Sequence, residues 1–345
     1  MKAKTFPLVI ALVFSVLFLP GCSVCGDGPV IGIIETSGSE KTSRLALFDE
    51  NLNKVLDYEL EEASLNSIFY DPVIDDGILY VIPQGYAQEK NTKKIVGVNL
   101  QNGESEEYPI DRPAMNSVAK SEQFIFTCNT LDGVSSINRY DMKSGQVTSI
   151  DEAGTYVSHL MVKDDILYSF ASSLDGESSW IDCCDLDLNQ LNRVDISEYG
   201  SGVYRSSANG SGIYFIALVA GDGSSNGTLL KFDTVSGELD EIAVPSHPID
   251  VEFHSGKMYV THGNMVEGTE TSSLTVVDGD GTVEEVKRFS HGALQTVVND
   301  NGVYILDNRT IYRYSIGDLE GIDKVTLSSF WNQYHYISGL FSMGE

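Results

Sequence analysis

The chain has 345 residues, 22 Lys+Arg against 50 Asp+Glu, and a formal net charge of −28 at pH 7. With 42% hydrophobic and 21% charged residues, it has the composition of a folded globular protein rather than a disordered one. A chain this acidic releases no counterions on a polyanion and is repelled by an anionic bilayer, which excludes nucleic acid and direct docking to acidic lipid.

The first 22 residues read as an address. Lys2 and Lys4 open it, and Phe6 to Pro20 is apolar apart from Ser15. That run is short for a membrane span and suits the hydrophobic region of a signal peptide. It ends in Leu19-Pro20-Gly21-Cys22, which resembles the bacterial lipobox. The resemblance implies cleavage before Cys22 and lipidation of its thiol. It further implies an exported protein anchored at the cell membrane or outer membrane, facing away from the cytoplasm. A diacyl anchor holds where a single acyl chain would not. The expected organisation is a signal peptide over 1–21, a lipidated cysteine and short tether over 22–29, and one domain over 30–345.

Four cysteines remain after Cys22: Cys25, Cys128, Cys183 and Cys184. An exported protein permits disulfides. Cys183 and Cys184 are adjacent, so in a strand they point to opposite faces. Pairing of one of them with Cys128, and buried free thiols, are both open. No cysteine pair has metal-binding spacing.

From Val30 onward, short apolar, β-branched and aromatic runs alternate with Gly, Asn, Asp and Ser clusters, an all-β pattern. One strand recurs: Gly32-Ile33-Ile34, Gly77-Ile78-Leu79-Tyr80, Gln123-Phe124-Ile125-Phe126, Ile166-Leu167-Tyr168, Gly212-Ile213-Tyr214, Lys257-Met258-Tyr259 and Gly302-Val303-Tyr304. Aligned on Ile34, Tyr80, Ile125, Tyr168, Tyr214, Tyr259 and Tyr304, the units repeat every 43 to 46 residues. Between 11 and 19 residues further on, each unit has a turn that starts at Asp49, Asn99, Asp141, Asp185, Asp233, Asp278 or Ser315. Asp or Asn bonds its own backbone there, and Gly145 or Gly237 supplies positive φ. Asp278-Gly279-Asp280-Gly281 falls on this register and reads as a hairpin turn rather than a calcium loop.

Seven such units resemble a β-propeller, and the Gly-x-x-Tyr strand with the Asp-x-x-Ser-Gly turn is similar to the YVTN and quinoprotein-like repeat families. The resemblance implies seven four-stranded antiparallel blades over 30–345. Trp180 and Trp331 are too few for one tryptophan per blade, so no quinone cofactor is expected. The first unit has room for three strands, and Asn332 to Phe341 is one strand without partners. Supplied as the inner strand of the first blade, it closes the ring and removes two open edges.

Counting nine residues back from each aligned position reaches the inner strand, which lines the central channel. The residues there are Asp71, Asn116, His159, Arg205, Asp250 and Gln295, with His335 as the seventh by the closure argument. Two positions on, the residues are mostly apolar or small (Val73, Val118, Met161, Val297), with Glu252 the exception. A polar ring of varying residue type suits a small-molecule or ion site at the channel mouth. It equally suits a solvated structural channel. The other candidate site is the loop face, with long loops over Gln84 to Lys93, Ala220 to Gly227 and Gly263 to Ser272, bearing Tyr86 and Met265. His247 and His291 lie in links between units.

No Ser-His-Asp order and no phosphate-cradling glycine loop occurs. The favoured reading is a monomeric, non-enzymatic scaffold that binds an envelope protein or a small molecule and carries no cofactor. The alternative is a lactonase-like hydrolase in which a divalent cation, held by Asp71, Asp250, His159 or His335, activates water. Arg205 in that ring opposes a cation.

Overall fold

A computed structural model describes residues 28–86, 89–90, 92–263, 272–279, 281–327 and 335–343. Cys22, Cys25, Met265 and the leader lie outside the described residues.

The described chain is all β. It forms seven four-stranded antiparallel sheets arranged as the blades of a propeller. The inner strands of blades one to seven are His335–Ser342, Val73–Asp75, Met115–Lys120, Thr155–Lys163, Ser206–Asn209, Pro248–His254 and Gln295–Asn299. The ring closes as expected. His335–Ser342 pairs antiparallel with Ile31–Ser37, so the last strand of the chain completes the first blade.

The core lies between blades rather than within them. Seven apolar clusters fill the seven interfaces. Each second strand feeds two of them, because successive side chains leave a strand on opposite faces. Leu79 and Val81 pack toward blade 1, whereas Tyr80 and Ile82 pack toward blade 3. Burial on both faces explains why these strands read as unbroken apolar runs. Cys183 and Cys184 follow the same rule and enter clusters on opposite sides of blade 4. Cys128, Cys183 and Cys184 are buried free thiols. Burial raises the Cys128 thiol to about 12.

Each blade descends, rises, descends and rises, so the disc has two distinct faces. The turns between first and second strands, and between third and fourth, lie on one face, the turn face. The long loops and the links between blades lie on the other, the loop face. The repeated aspartates build the turns. Asp141 Oδ1 accepts from Lys143 N (2.8 Å) and Ser144 N (3.1 Å), and Asp233 Oδ1 accepts from Val235 N (3.0 Å) and Ser236 N (2.9 Å). Gly145 and Gly237 follow with φ of 71° and 75°. The turn at Asp278 is of this kind, closed by Gly281 N donating to Asp278 O (2.9 Å).

Candidate functional site: the channel ring

Three hydrogen bonds mark the ring position. Leu160 N donates to Ser117 Oγ (3.1 Å), Thr296 N to Asp250 Oδ2 (3.0 Å) and Leu340 N to Gln295 Oε1 (2.7 Å). In each, a side chain of one blade accepts from the residue after the same position in the next blade. The strand register agrees: Val73, Met161, Ser207, Glu252 and Val297 face the repeated tyrosines, and the ring residue lies two before each. In blade order, the ring is Gly339, Asp71, Ser117, His159, Arg205, Asp250 and Gln295.

Asn116 and His335 therefore sit off the ring. In blade 3, Phe126 rather than Ile125 holds the tyrosine register, opposite Ala119, which moves the ring position one residue on, to Ser117. Asn116 lies in the irregular stretch between Met115 and Val118. In blade 1, Gly32 holds that register, opposite Phe341. The two strands come from opposite ends of the chain, so no count through a turn reaches the pairing. The ring position is Gly339, where a Cβ would stand 2.9 Å from Pro72 Cγ. His335 lies four residues earlier, at the loop-face end, with Nε2 3.0 Å from Thr42 Oγ1.

The fold brings Asp71, Arg205, Asp250 and Gln295 together. Arg205 Nε lies 3.2 Å from Asp71 Oδ1, and its Nη1 lies 3.0 Å from Asp250 Oδ2. The Arg205 side chain is 5% exposed, that of Asp250 1%, and that of Asp71 38%. Gln295 Nε2 donates to Asp71 Oδ1 at 3.4 Å. Glu252 joins them: carboxylate oxygens of Asp71, Asp250 and Glu252 all lie within 4.8 Å of one another. Sequence reasoning left Glu252 out of the ring. Its signal was the acidic residue at a position otherwise apolar or small.

Burial is the largest influence on all three acids, and it disfavours their charged forms. It lifts Asp71 to about 7 against the pull of Arg205, with Asp250 adding to the rise. Asp250 is raised by burial, opposed by Arg205 and by the N–H groups of Thr296 and Val251. Glu252 is raised well above its ordinary range by burial, then by Asp250 and Asp71. His159 is pushed down to about 3 by burial and by Arg205. Its Nδ1 lies 3.2 Å from Ser117 Oγ and its Nε2 2.8 Å from Ser206 Oγ, so it is a neutral bridge between three blades.

The mouth on the loop face is covered. The link from Leu60 to Val73 crosses it, whereas a single residue, Gly154, joins blades 3 and 4. Residues 66–72 carry Phe69 and Tyr70 to Tyr204 of the blade 5 approach, with ring centroids 5.8 and 5.9 Å apart. The Tyr156 hydroxyl lies beside those of Tyr70 and Tyr204. Arg205 Nη2 donates to Ile68 O.

Other candidates are structural. His291 stacks on Tyr312 (3.6 Å, 3°), with Nδ1 2.7 Å from Gly292 O and Nε2 2.6 Å from the Tyr314 hydroxyl. His247 is held by its backbone, with N donating to Asn226 O at 3.0 Å. Gly85–Tyr86 pairs with Glu89–Lys90 as a short hairpin, and Val219–Ala220 pairs with Gly200–Ser201. A cleft of about 360 Å³ on the turn face holds His254, Ser255 and Asp300. Ser255 Oγ (3.1 Å) and Asp300 Oδ1 (3.3 Å) both approach the same nitrogen, Nε2, and Asp300 is 93% exposed. A base relay needs the carboxylate on one ring nitrogen and the nucleophile on the other, so this is no triad.

Blade number, closure and channel together define a seven-bladed β-propeller. Solved structures with the same fold include a functionally unknown protein from Desulfotomaculum acetoxidans (TM-score 0.60, 13% identity, covering 90% of this chain and 98% of that one). Apo AztD from Citrobacter koseri is similar too (TM-score 0.55, 9% identity, 91% and 98%). So is a chain of Kuenenia stuttgartiensis hydrazine synthase (TM-score 0.55, 16% identity, 77% and 88%). At such identities the likeness is one of fold alone. No family model and no curated protein matches the chain in sequence.

Proposed function

We propose that the chain is an exported, lipid-anchored propeller that binds a protein partner or small ligand at its loop face and carries out no catalysis. The carrying observation is that Arg205 already occupies the ring: its guanidinium contacts two of the three clustered carboxylates. A reacting centre needs groups free to meet a substrate, and these meet each other. The Leu19-Pro20-Gly21-Cys22 motif after an apolar run supports the anchor. Loops on a rigid scaffold are where recognition usually resides. Two experiments test this reading. Metabolic labelling with a fatty-acid analogue should mark wild type and not Cys22→Ala. A thermal-shift panel of sugars, organic acids and lactones, run beside hydrolysis assays, should give shifts without turnover. Turnover of any lactone would overturn it.

A second reading is a cation-assisted hydrolase, and the three carboxylates within 4.8 Å favour it. Oxygen donors of that number suit a divalent cation that keeps bound water. Arg205 would have to leave first. Titration with Ca²⁺, Mg²⁺ or Mn²⁺ tests this: a ligand at 100 times its Kd adds about 2.7 kcal/mol of stability.

A further inference from the structure

We infer that residues 66–72 form a strap shut over the loop-face mouth of the channel, and that the Arg205 side chain is its latch. The strap leaves the outer strand of blade 1, crosses the mouth, and enters the inner strand of blade 2. It touches blades 1, 7 and 5 around the opening. At blade 1, Asn66 Nδ2 donates to Ser338 O (2.9 Å), and Ser338 Oγ donates to Leu65 O (2.5 Å). At blade 7, Gln295 Nε2 donates to Tyr70 O (3.3 Å). Across the ring, Tyr204 meets Phe69 and Tyr70, and Arg205 donates to Ile68 O while pairing with Asp71. One guanidinium thus binds the strap at two points and anchors on Asp250, which belongs to the disc. A planar fork can hold several acceptors at once in this way.

The strap is held by apolar as well as polar contacts: Ile68 packs against the core between blades 1 and 7, whereas Phe69 at its centre is 44% exposed. Ser64 and Asn66, at its start, have φ of 49° and 60°, a left-handed conformation unusual for residues other than glycine and suited to a hinge. Beneath it lie Asp250, 1% exposed, and Glu252. Access to the lumen from that face is then a property of the latch. The inference concerns access and stands apart from what binds at the mouth.

The test is hydrogen exchange of the full-length protein in detergent, followed by mass spectrometry of peptides covering 64–72. Asn66 N donates to Ile82 O, a bond from the strap to blade 2, so its amide reports closure, while the Tyr70 N to Ser67 O bond is a turn within the strap itself. Wild type should protect the Asn66 amide. Arg205→Met should accelerate exchange there at least tenfold more than it does in the strands 213–217 and 258–262, which report only the global loss of stability. Where Arg205→Met fails to fold, Arg205→Lys serves: it keeps the charge among the carboxylates and loses the fork. It should loosen 64–72 alone. Free exchange of 64–72 in wild type, or protection unaltered in the variant that folds, would overturn the latch.

Discussion

Arg205 Nε lies 3.2 Å from Asp71 Oδ1, joining blade 5 to the entrance of blade 2, three places round the ring. Its other arm reaches Asp250 of blade 6, and a third nitrogen holds the carbonyl of Ile68. A single side chain therefore ties together parts of the disc that share no sheet.

Removing that charge leaves buried carboxylates without a counter-ion. Arg205→Met should destabilise the protein by about 3–5 kcal/mol, the range for breaking a buried ion pair by removing one partner. Urea denaturation measures it. The triple change Asp71→Asn, Asp250→Asn, Glu252→Gln in the Arg205→Met background should recover part of the loss. If it recovers none, the loss is one of packing.

The ring also sets a pH dependence. Asp71 is raised to about 7, and burial raises Asp250 and Glu252 as well. The folded state then holds protons that the unfolded chain releases. The contribution of Asp71 to stability is full below the ordinary carboxylate range and is lost as pH rises through 7, and those of Asp250 and Glu252 are likewise lost as pH rises through their raised values. His159, lowered to about 3, acts oppositely: its contribution is present above the ordinary histidine value and is lost as pH falls toward 3. Melting temperature against pH should be flatter between pH 4 and 7.5 in Asp71→Asn than in wild type. An unchanged profile would remove Asp71 from this account.

Closure by the last strand predicts a severe truncation. Deleting 335–345 strips Ile31–Ser37 of its inner partner and opens the apolar interface that Ile337, Leu340 and Phe341 fill. An unpaired, apolar edge is an aggregation site. Size-exclusion chromatography should show aggregate in place of monomer.

Gly32 predicts a close-packing penalty. A Cβ there would lie 2.2 Å from Phe341 Cζ and 2.7 Å from Leu47 Cδ2. Gly32→Ala should cost about 1–3 kcal/mol, as overpacking of a filled core does. Gly32→Ala with Phe341→Leu should cost less than Gly32→Ala alone, by thermal denaturation.

Ser117→Ala tests the ring's backbone bonding. It leaves Leu160 N buried without its acceptor, at a cost of about 1–3 kcal/mol. It should also loosen His159, whose imidazole NMR signals would broaden or shift.

The repeat of 43 to 46 residues, the apolar Gly-x-x-Tyr strands and the Asp-led turns were enough, from sequence, to specify blades, their number and the closing strand. Those features are local: alternation along a strand assigns each side chain to an interface, and a turn needs only its own four residues. Asp71, His159, Arg205, Asp250 and Gln295 could be reached by counting because their blades have hairpins of one length. Ser117 and Gly339 could not, since in blade 3 no tyrosine marks the register, which falls on Phe126 and not on the neighbouring Ile125, and the other pairing joins the two ends of the chain. The partners within the ring were not legible either. Asp71 and Arg205 are separated by more than a hundred residues, and Glu252 sits on a position that elsewhere is apolar or small. Periodicity says which strand lines the channel. Which charges meet across it is decided by the curvature that closes seven blades into one ring.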